Sequence, residues 1–155
     1  MDAPELPRTA RGPFADILVA VDGSEHALGA VRVAARLARA LGARLMLLTV
    51  YDAPSEALGE PNYSRALTEA LDGAQRVLAE ARRVAVDAGA SECRTEYLAG
   101  QPAGTIVSAA KTGGYDLVVV GSRGRSGLAA ALLGSVSSAV AAHAGRPVLV
   151  VGAEG

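Results

Sequence analysis

The amino-acid sequence predicts a single-domain α/β protein: an open, doubly wound parallel sheet of five strands in the order 3-2-1-4-5, with helices on both faces. Two observations lead to this fold class. Short apolar runs alternate along the chain with segments whose apolar residues repeat every three or four positions. Most of these runs are apolar without interruption, which is typical of parallel strands covered on both faces. Right-handed crossovers between such strands give an open doubly wound sheet.

The first strand and helix are predicted from residues 16–42. The apolar run over 16–22 ends in a turn, and Asp22 and Glu25 have the spacing of a capping box, so a helix is expected to begin there. Its apolar residues continue at three- and four-residue steps to Gly42, a residue typical of a helix C-terminus. The second strand is predicted over 45–50.

The middle of the chain is predicted to contain a loop, two helices and one strand. A loop is expected over 51–63, and a long amphipathic helix over 67–88. Alternating polar and less polar residues over 93–97 indicate an edge strand. A short helix follows over 102–112, because proline is favoured at a first helical position.

The last part of the chain supplies the remaining two strands. The fourth strand is predicted over 116–121, and a glycine-rich segment follows it to Gly134. A helix over 135–143 then leads to the last strand, over 147–151. The alternation of strands and helices is therefore complete without a second domain.

The composition is that of a packed domain in a reducing compartment. Residues 1–14 are expected to be a flexible leader and 15–152 the domain, since 155 residues with 50% hydrophobic side chains can bury a core. The single cysteine, Cys93, excludes an intrachain disulfide. The leader has no apolar signal-peptide segment. A cytoplasmic protein is expected.

Charge and hydropathy argue against two classes of partner. The formal net charge of −1 gives no long-range attraction to nucleic acids or to membrane surfaces. The stretch over 126–145 has no charged residue, but its serines, glycines and alanines favour a glycine loop and a buried helix over a membrane span. Neither a nucleic acid nor a membrane is therefore expected as a partner.

The glycine-rich segment after the fourth strand has the residues of an anion site. Missing Cβ atoms let backbone N–H groups approach an anion, and a helix start adds free amides and partial positive charge. Ligands of such sheets bind beyond the carboxyl ends of the strands, so a polyphosphate is the expected ligand. A merely flexible loop is the alternative. The residues concerned are Gly121, Arg123, Gly124, Arg125, Gly127, Gly134, Ser135 and Ser137.

Other motifs have simpler interpretations. The chain has neither GxGxxG nor GxxxxGK[ST], so a dinucleotide site and a P-loop are not expected. Asp22 has the alternative role of a helix cap. His26 is expected on the surface, and His143 lies where the helix dipole favours it. Cys93 is interpreted as a small strand residue.

The glycine spacing resembles the nucleotide-binding signature of universal stress proteins. The pattern Gly121-x2-Gly124-x9-Gly134-Ser135 matches the G-2x-G-9x-G-[ST] motif of the ATP-binding members, and it stands between the appropriate strand and helix. Residues 17–24, 116–124 and 146–151 also resemble the first strand and turn, the fourth strand and the closing strand of that family. The resemblance covers roughly 15–152 and implies a Rossmann-like fold.

The resemblance implies an ATP site in which Mg²⁺ is carried by the phosphates and not by a protein cage. It implies Gly121, Gly124, Gly134 and Ser135 around the phosphates and ribose, Val136 and Ser137 in the phosphate cradle, Arg125 as a basic residue, Asp22 near the adenosine, and Ala20, Val50 and Val120 along the base. ADP and a cyclic nucleotide stay open as ligands.

The expected function is that of an ATP-binding regulatory protein that senses nucleotide in a stress response. Hydrolysis is expected to be slow at most, because no residue is positioned by sequence as a base, and whether the protein is an enzyme stays open. A dimeric interaction module with an empty site and an adenylyl-transferring enzyme are the alternatives. The family's last strand pairs with its copy, which implies a homodimer through Val148–Val151.

Overall fold

The computed structural model describes residues 12–123 and 133–152. They form five strands, four α-helices and one short 3₁₀ helix. In chain order the elements are β1 (Asp16–Ala20), α1 (Glu25–Leu41), β2 (Arg44–Tyr51), the 3₁₀ helix (Glu56–Leu58), α2 (Asn62–Asp87), β3 (Cys93–Ala99), α3 (Pro102–Thr112), β4 (Leu117–Gly121), α4 (Ser135–His143) and β5 (Val148–Val151).

The five strands form one parallel sheet in the order β3-β2-β1-β4-β5. β1 is central, and its Ile17 pairs with Leu45 of β2 on one side and with Leu117 of β4 on the other. Helices α1 and α2 pack on one face of the sheet, and α3 and α4 pack on the other. The predicted doubly wound fold with strand order 3-2-1-4-5 is confirmed.

Successive residues of the central strands enter two separate hydrophobic clusters. Ile17 and Val19 lie in the cluster under α1 and α2, whereas Leu18 and Val118 lie in the cluster under α3 and α4. All four side chains are fully buried, and each such burial contributes about 1.5–3 kcal/mol. Both faces of these strands are covered, which explains why their sequences are apolar without interruption.

The start of α1 differs from the predicted capping box. The N-cap is Ser24, whose Oγ accepts a hydrogen bond from the N–H of Ala27 at 3.2 Å. Asp22 instead accepts from the N–H of Ser24, with 2.9 Å between Oδ1 and N. The helix ends as predicted at Gly42, whose φ of 64° is the left-handed conformation that favours glycine.

The predicted loop over 51–63 is partly helical, and α2 begins earlier than predicted. The 3₁₀ helix occupies its middle, and α2 starts at Asn62. The first turn of α2 consists mostly of polar and exposed residues, so the apolar repeat that predicts the helix does not appear there. The boundary given by the repeat alone, at residue 67, is therefore too late.

β3 is an edge strand, as its alternation predicts. Cys93, at its start, is half-buried and packs at the edge of the cluster under α1 and α2. Burial raises the pKa of the Cys93 thiol, and the neighbouring Arg82 guanidinium opposes this only in part. A thiol with a raised pKa is a weak nucleophile, which agrees with its interpretation as a small strand residue.

β5 forms the other edge of the sheet, and each of its four residues is partly exposed. The uncharged stretch that precedes it includes α4, a helix of nine residues. Across residues 12–123 and 133–152, helices lack the combination of length and hydropathy needed to cross a bilayer.

Candidate functional site

An open cavity of about 640 Å³ lies at the carboxyl ends of the strands. β1, β2 and β4 contribute Ala20, Val50 and Val120, and the first turn of α4, the N-terminal half of α2 and the segment before α3 form its sides. The cavity includes the boundary between β1 and β4, where the order of strands along the chain reverses. This is the position at which doubly wound sheets bind ligands, and its volume is that of a ligand site.

Nine of the eleven residues that the resemblance implies for the ATP site line this one cavity. They are Ala20, Asp22, Val50, Val120, Gly121, Gly134, Ser135, Val136 and Ser137. Gly124 and Arg125, the two others of this set, and Gly127 of the glycine-rich segment lie outside the described residues. Residues from four separate parts of the sequence are thus brought to one surface by the fold.

The turn after β1 holds the carboxylate of Asp22 beside the cavity. Its Oδ1 accepts the hydrogen bond from the N–H of Ser24, and Ser24 in turn caps α1. The position of the carboxylate is therefore tied to the start of α1. Asp22 has its own function in the turn, and the cap role considered from the sequence belongs to Ser24.

The start of α4 presents backbone donors to the cavity. Its N-cap is Gly134, and no side chain of the described residues caps this helix. The first N–H groups of a helix have no partner within it and carry partial positive charge. Gly134 has φ −65° and ψ 161°, a conformation open to any residue, so its backbone does not require glycine.

Gly121 has a packing role that the sequence alone did not indicate. A Cβ at this position would lie 2.9 Å from the backbone C and O atoms of His26 in the first turn of α1. The missing side chain lets α1 pack directly on the end of β4. This contact is reason enough for glycine here, separate from the anion site expected from the sequence.

The end of β4 and the start of α4 are joined through one carbonyl group. The carbonyl oxygen of Ser122 accepts from the N–H of Gly134 at 2.7 Å and from Oγ of Ser137 at 2.9 Å. Ser137 is buried. Its hydroxyl, expected from the sequence to be a phosphate donor, donates within the protein.

The charged residues of the cavity are segregated. Arg123 lies on the β4 side, near the start of α4, whereas Asp22 and Asp52 follow β1 and β2, and Glu69 belongs to α2. Carboxylates repel anions, so the β4 and α4 side is the part of the described cavity suited to a negatively charged group.

Several lining residues were not predicted from the sequence. Ligands of such sheets bind beyond the carboxyl ends of the strands. The same argument, applied to β2 and β3, would have indicated the residues that follow those two strands. Those of α2 carry no sequence signal, because they are small or exposed residues of an ordinary amphipathic helix. The unpredicted residues include Tyr51, Asp52, Glu69, Ala70, Gly73, Gln101 and Pro102.

Comparisons with known proteins identify the family. The sequence model of the universal stress protein family matches residues 13–152. A universal stress protein of Thermus aquaticus is 41% identical over 138 residues, covering 89% of this chain and 98% of the relative. Among solved structures, UspA of Lactobacillus plantarum is 30% identical with a TM-score of 0.79, covering 89% of this chain and 97% of the other.

A second solved structure is that of a universal stress protein in complex with cAMP. It is 31% identical to this chain with a TM-score of 0.72, and the match covers 90% of this chain and 98% of the other. The family match over nearly the whole length agrees with the strand order and with the position of the cavity. The chain therefore belongs to the universal stress protein family.

Proposed function

We propose that this protein binds ATP, with Mg²⁺ on the phosphates, in the cavity at the carboxyl edge of the sheet. It acts in the cytoplasm as a nucleotide-responsive regulator of a stress response. One observation carries the proposal: nine residues that the family resemblance implies for an ATP site line a single cavity beside the start of α4, which no side chain of the described residues caps. A similar universal stress protein has been solved in complex with cAMP, which supports an adenine nucleotide.

The segregated charges set the orientation of the nucleotide. The phosphates lie against Gly121, Arg123 and the first turn of α4, since the carboxylates on the other side would repel them. The family resemblance adds Gly124 and Arg125, which lie outside the described residues, to the same proposed phosphate site. The adenosine then lies toward Asp22 and the apolar ends of β1, β2 and β4.

The available donors are sufficient for moderate affinity. A micromolar dissociation constant corresponds to about 8 kcal/mol. Charge-assisted hydrogen bonds contribute roughly 1.5–3 kcal/mol each, and burial of the base adds to them before ordering costs are subtracted. A few such bonds from the amides of α4, together with burial of the base, are of the size that the proposed micromolar binding requires.

Hydrolysis of the bound nucleotide is slow at most under this proposal. Neither histidine of the chain is among the described residues that line the cavity. The carboxylates of the described lining lie on the adenosine side, where they cannot activate a water at the terminal phosphate. The protein acts through the bound state rather than through turnover.

Calorimetric titration with Mg-ATP is expected to give a dissociation constant in the micromolar range. Titrations with cAMP and ADP, and product chromatography after overnight incubation, complete the experiment. Absence of binding up to millimolar ATP would refute the proposal and favour an interaction module. Much tighter binding of cAMP would make the cyclic nucleotide the ligand, and stoichiometric release of pyrophosphate would indicate adenylyl transfer.

We propose in addition that two copies pair through β5. This strand is an apolar sheet edge with partly exposed residues, and such edges tend to pair with another strand. The N–H groups of Val118 and Ser122 donate to the carbonyls of Pro147 and Val151. Since successive residues of a strand point their backbone groups to opposite sides, the N–H of Val150 is directed to the free edge.

Val150→Pro is therefore expected to convert a dimer into a monomer while the sheet remains intact. Proline removes the N–H of residue 150, which points to the free edge of β5 and is not hydrogen-bonded to β4. Sedimentation velocity measures the change. The control Val150→Ala keeps the N–H and is expected to remain dimeric. A wild-type monomer, or a dimeric Val150→Pro variant, would contradict pairing through β5.

A further inference from the structure

The hydroxyl of Ser137 donates its hydrogen inside the protein. The side chain lies in the first turn of α4, and the residue is 3% exposed. Its Oγ is 2.9 Å from the carbonyl oxygen of Ser122 and 3.0 Å from that of Gly134. A serine hydroxyl has one hydrogen to donate, and here these two carbonyl oxygens share it, with the shorter contact to Ser122.

Ser122 connects this hydroxyl to the sheet. Its own N–H donates to the carbonyl of Val151 in β5 at 2.8 Å, and its carbonyl accepts from both Ser137 and the N–H of Gly134. We name the three residues Ser122, Gly134 and Ser137 the Ser122 clasp. The clasp joins the end of β4, where Gly121 lies, to the start of α4, where Gly134 is the N-cap.

We infer that Ser137 is a positioning residue of the phosphate site and does not contact the phosphates. This inference rests on the proposed function. The clasp holds the free N–H groups of α4 at a set distance from Gly121 and Arg123, so little ordering is needed when the nucleotide binds. The carbonyl oxygen of Ser122 would repel an anion. In the clasp it is hydrogen-bonded to the N–H of Gly134 and to Oγ of Ser137. Ser122 itself is not among the residues that line the cavity.

Three variants test the inference. Ser137→Ala removes the clasp hydroxyl, and Ser137→Thr retains it. Ser138→Ala is the matched control, since Ser138 is the next residue of α4, is exposed and does not line the cavity. Two properties are measured for each: the hydrogen-exchange rate of the Gly134 amide in nucleotide-free protein by NMR, and the affinities for Mg-ATP and for adenosine.

Ser137→Ala is expected to raise the exchange rate of the Gly134 amide and to weaken Mg-ATP binding, each by about five- to tenfold, the size of one ordinary hydrogen bond. Adenosine, which has no phosphate, is expected to bind as tightly as to the wild type. Ser137→Thr restores both properties, and Ser138→Ala changes neither.

Three results would overturn the inference. Weaker Mg-ATP binding with an unchanged Gly134 exchange rate would make Ser137 a direct ligand. Equal losses for Mg-ATP and adenosine would indicate a general structural role. Unchanged Mg-ATP affinity in Ser137→Ala would show that the clasp does not serve the site. A wild-type protein that binds no nucleotide would instead refute the proposed function itself.

Discussion

Replacing Ser135 with proline is expected to weaken Mg-ATP binding by about 10- to 100-fold without disturbing the fold. The variant removes one backbone N–H and one hydroxyl from the first turn of α4, and charge-assisted hydrogen bonds contribute roughly 1.5–3 kcal/mol each. Because the amide itself is deleted, the measurement tests directly whether the start of α4 holds the phosphates. Calorimetry gives the dissociation constants.

The structure shows why proline is tolerated at this position. Ser135 is the first residue of α4, where proline is favoured. Gly134 before it has φ −65° and ψ 161°, the extended conformation that a residue before proline prefers. Circular dichroism and thermal melting are therefore expected to match the wild type.

Ser135→Ala separates the contributions of the amide and the hydroxyl. It keeps the N–H and removes the hydroxyl, so its loss of affinity is expected to be smaller than that of Ser135→Pro. Wild-type affinity in the folded proline variant would place the phosphates elsewhere in the cavity, away from α4.

The second large effect concerns stability. Gly121→Ala is expected to lower the free energy of unfolding by about 1–3 kcal/mol, the usual cost of overpacking. The added Cβ would lie 2.9 Å from the backbone C and O atoms of His26. Backbone atoms cannot rotate away as a flexible side chain does, so the first turn of α1 has to shift. Urea denaturation measures the loss.

Gly73→Ala is the matched control for this prediction. Gly73 lies within α2, and a Cβ there meets no atom within 4 Å. The same chemical change is expected to stabilise the protein by about 0.5–1 kcal/mol, because glycine disfavours a helix interior relative to alanine. Equal stability changes in the two variants would show that the backbone of His26 does not exclude a side chain at position 121.

The fold could be predicted almost completely from the sequence. The alternation of apolar runs and amphipathic segments follows from the periodicity of each element, and it was sufficient to predict the elements and a doubly wound parallel sheet. The order of the strands within the sheet is observed in the structure and agrees with the predicted 3-2-1-4-5. The start of α2 was missed because its first turn has few apolar residues. The capping residue was misassigned because Asp22 and Ser24 both suit a helix start, and only the hydrogen bond from Ala27 distinguishes them.

The candidate site was predicted in part. The glycine pattern, together with the family resemblance, indicated nine residues that line the cavity. It did not indicate the residues of α2 or those after β3, because their position beside the cavity results from how the elements pack. Their residue types are ordinary for exposed parts of a helix or a loop.

The chain's own pattern was thus enough to predict the succession of strands and helices, a parallel sheet covered on both faces and an anion site at its carboxyl edge. The packed structure was needed to assign roles within that site. Gly121 is required by the backbone of His26, and the hydroxyl of Ser137 is used by the carbonyl of Ser122. Periodicity and glycine spacing are properties of neighbouring residues, whereas these contacts join residues whose distance is set only when the helices pack on the sheet.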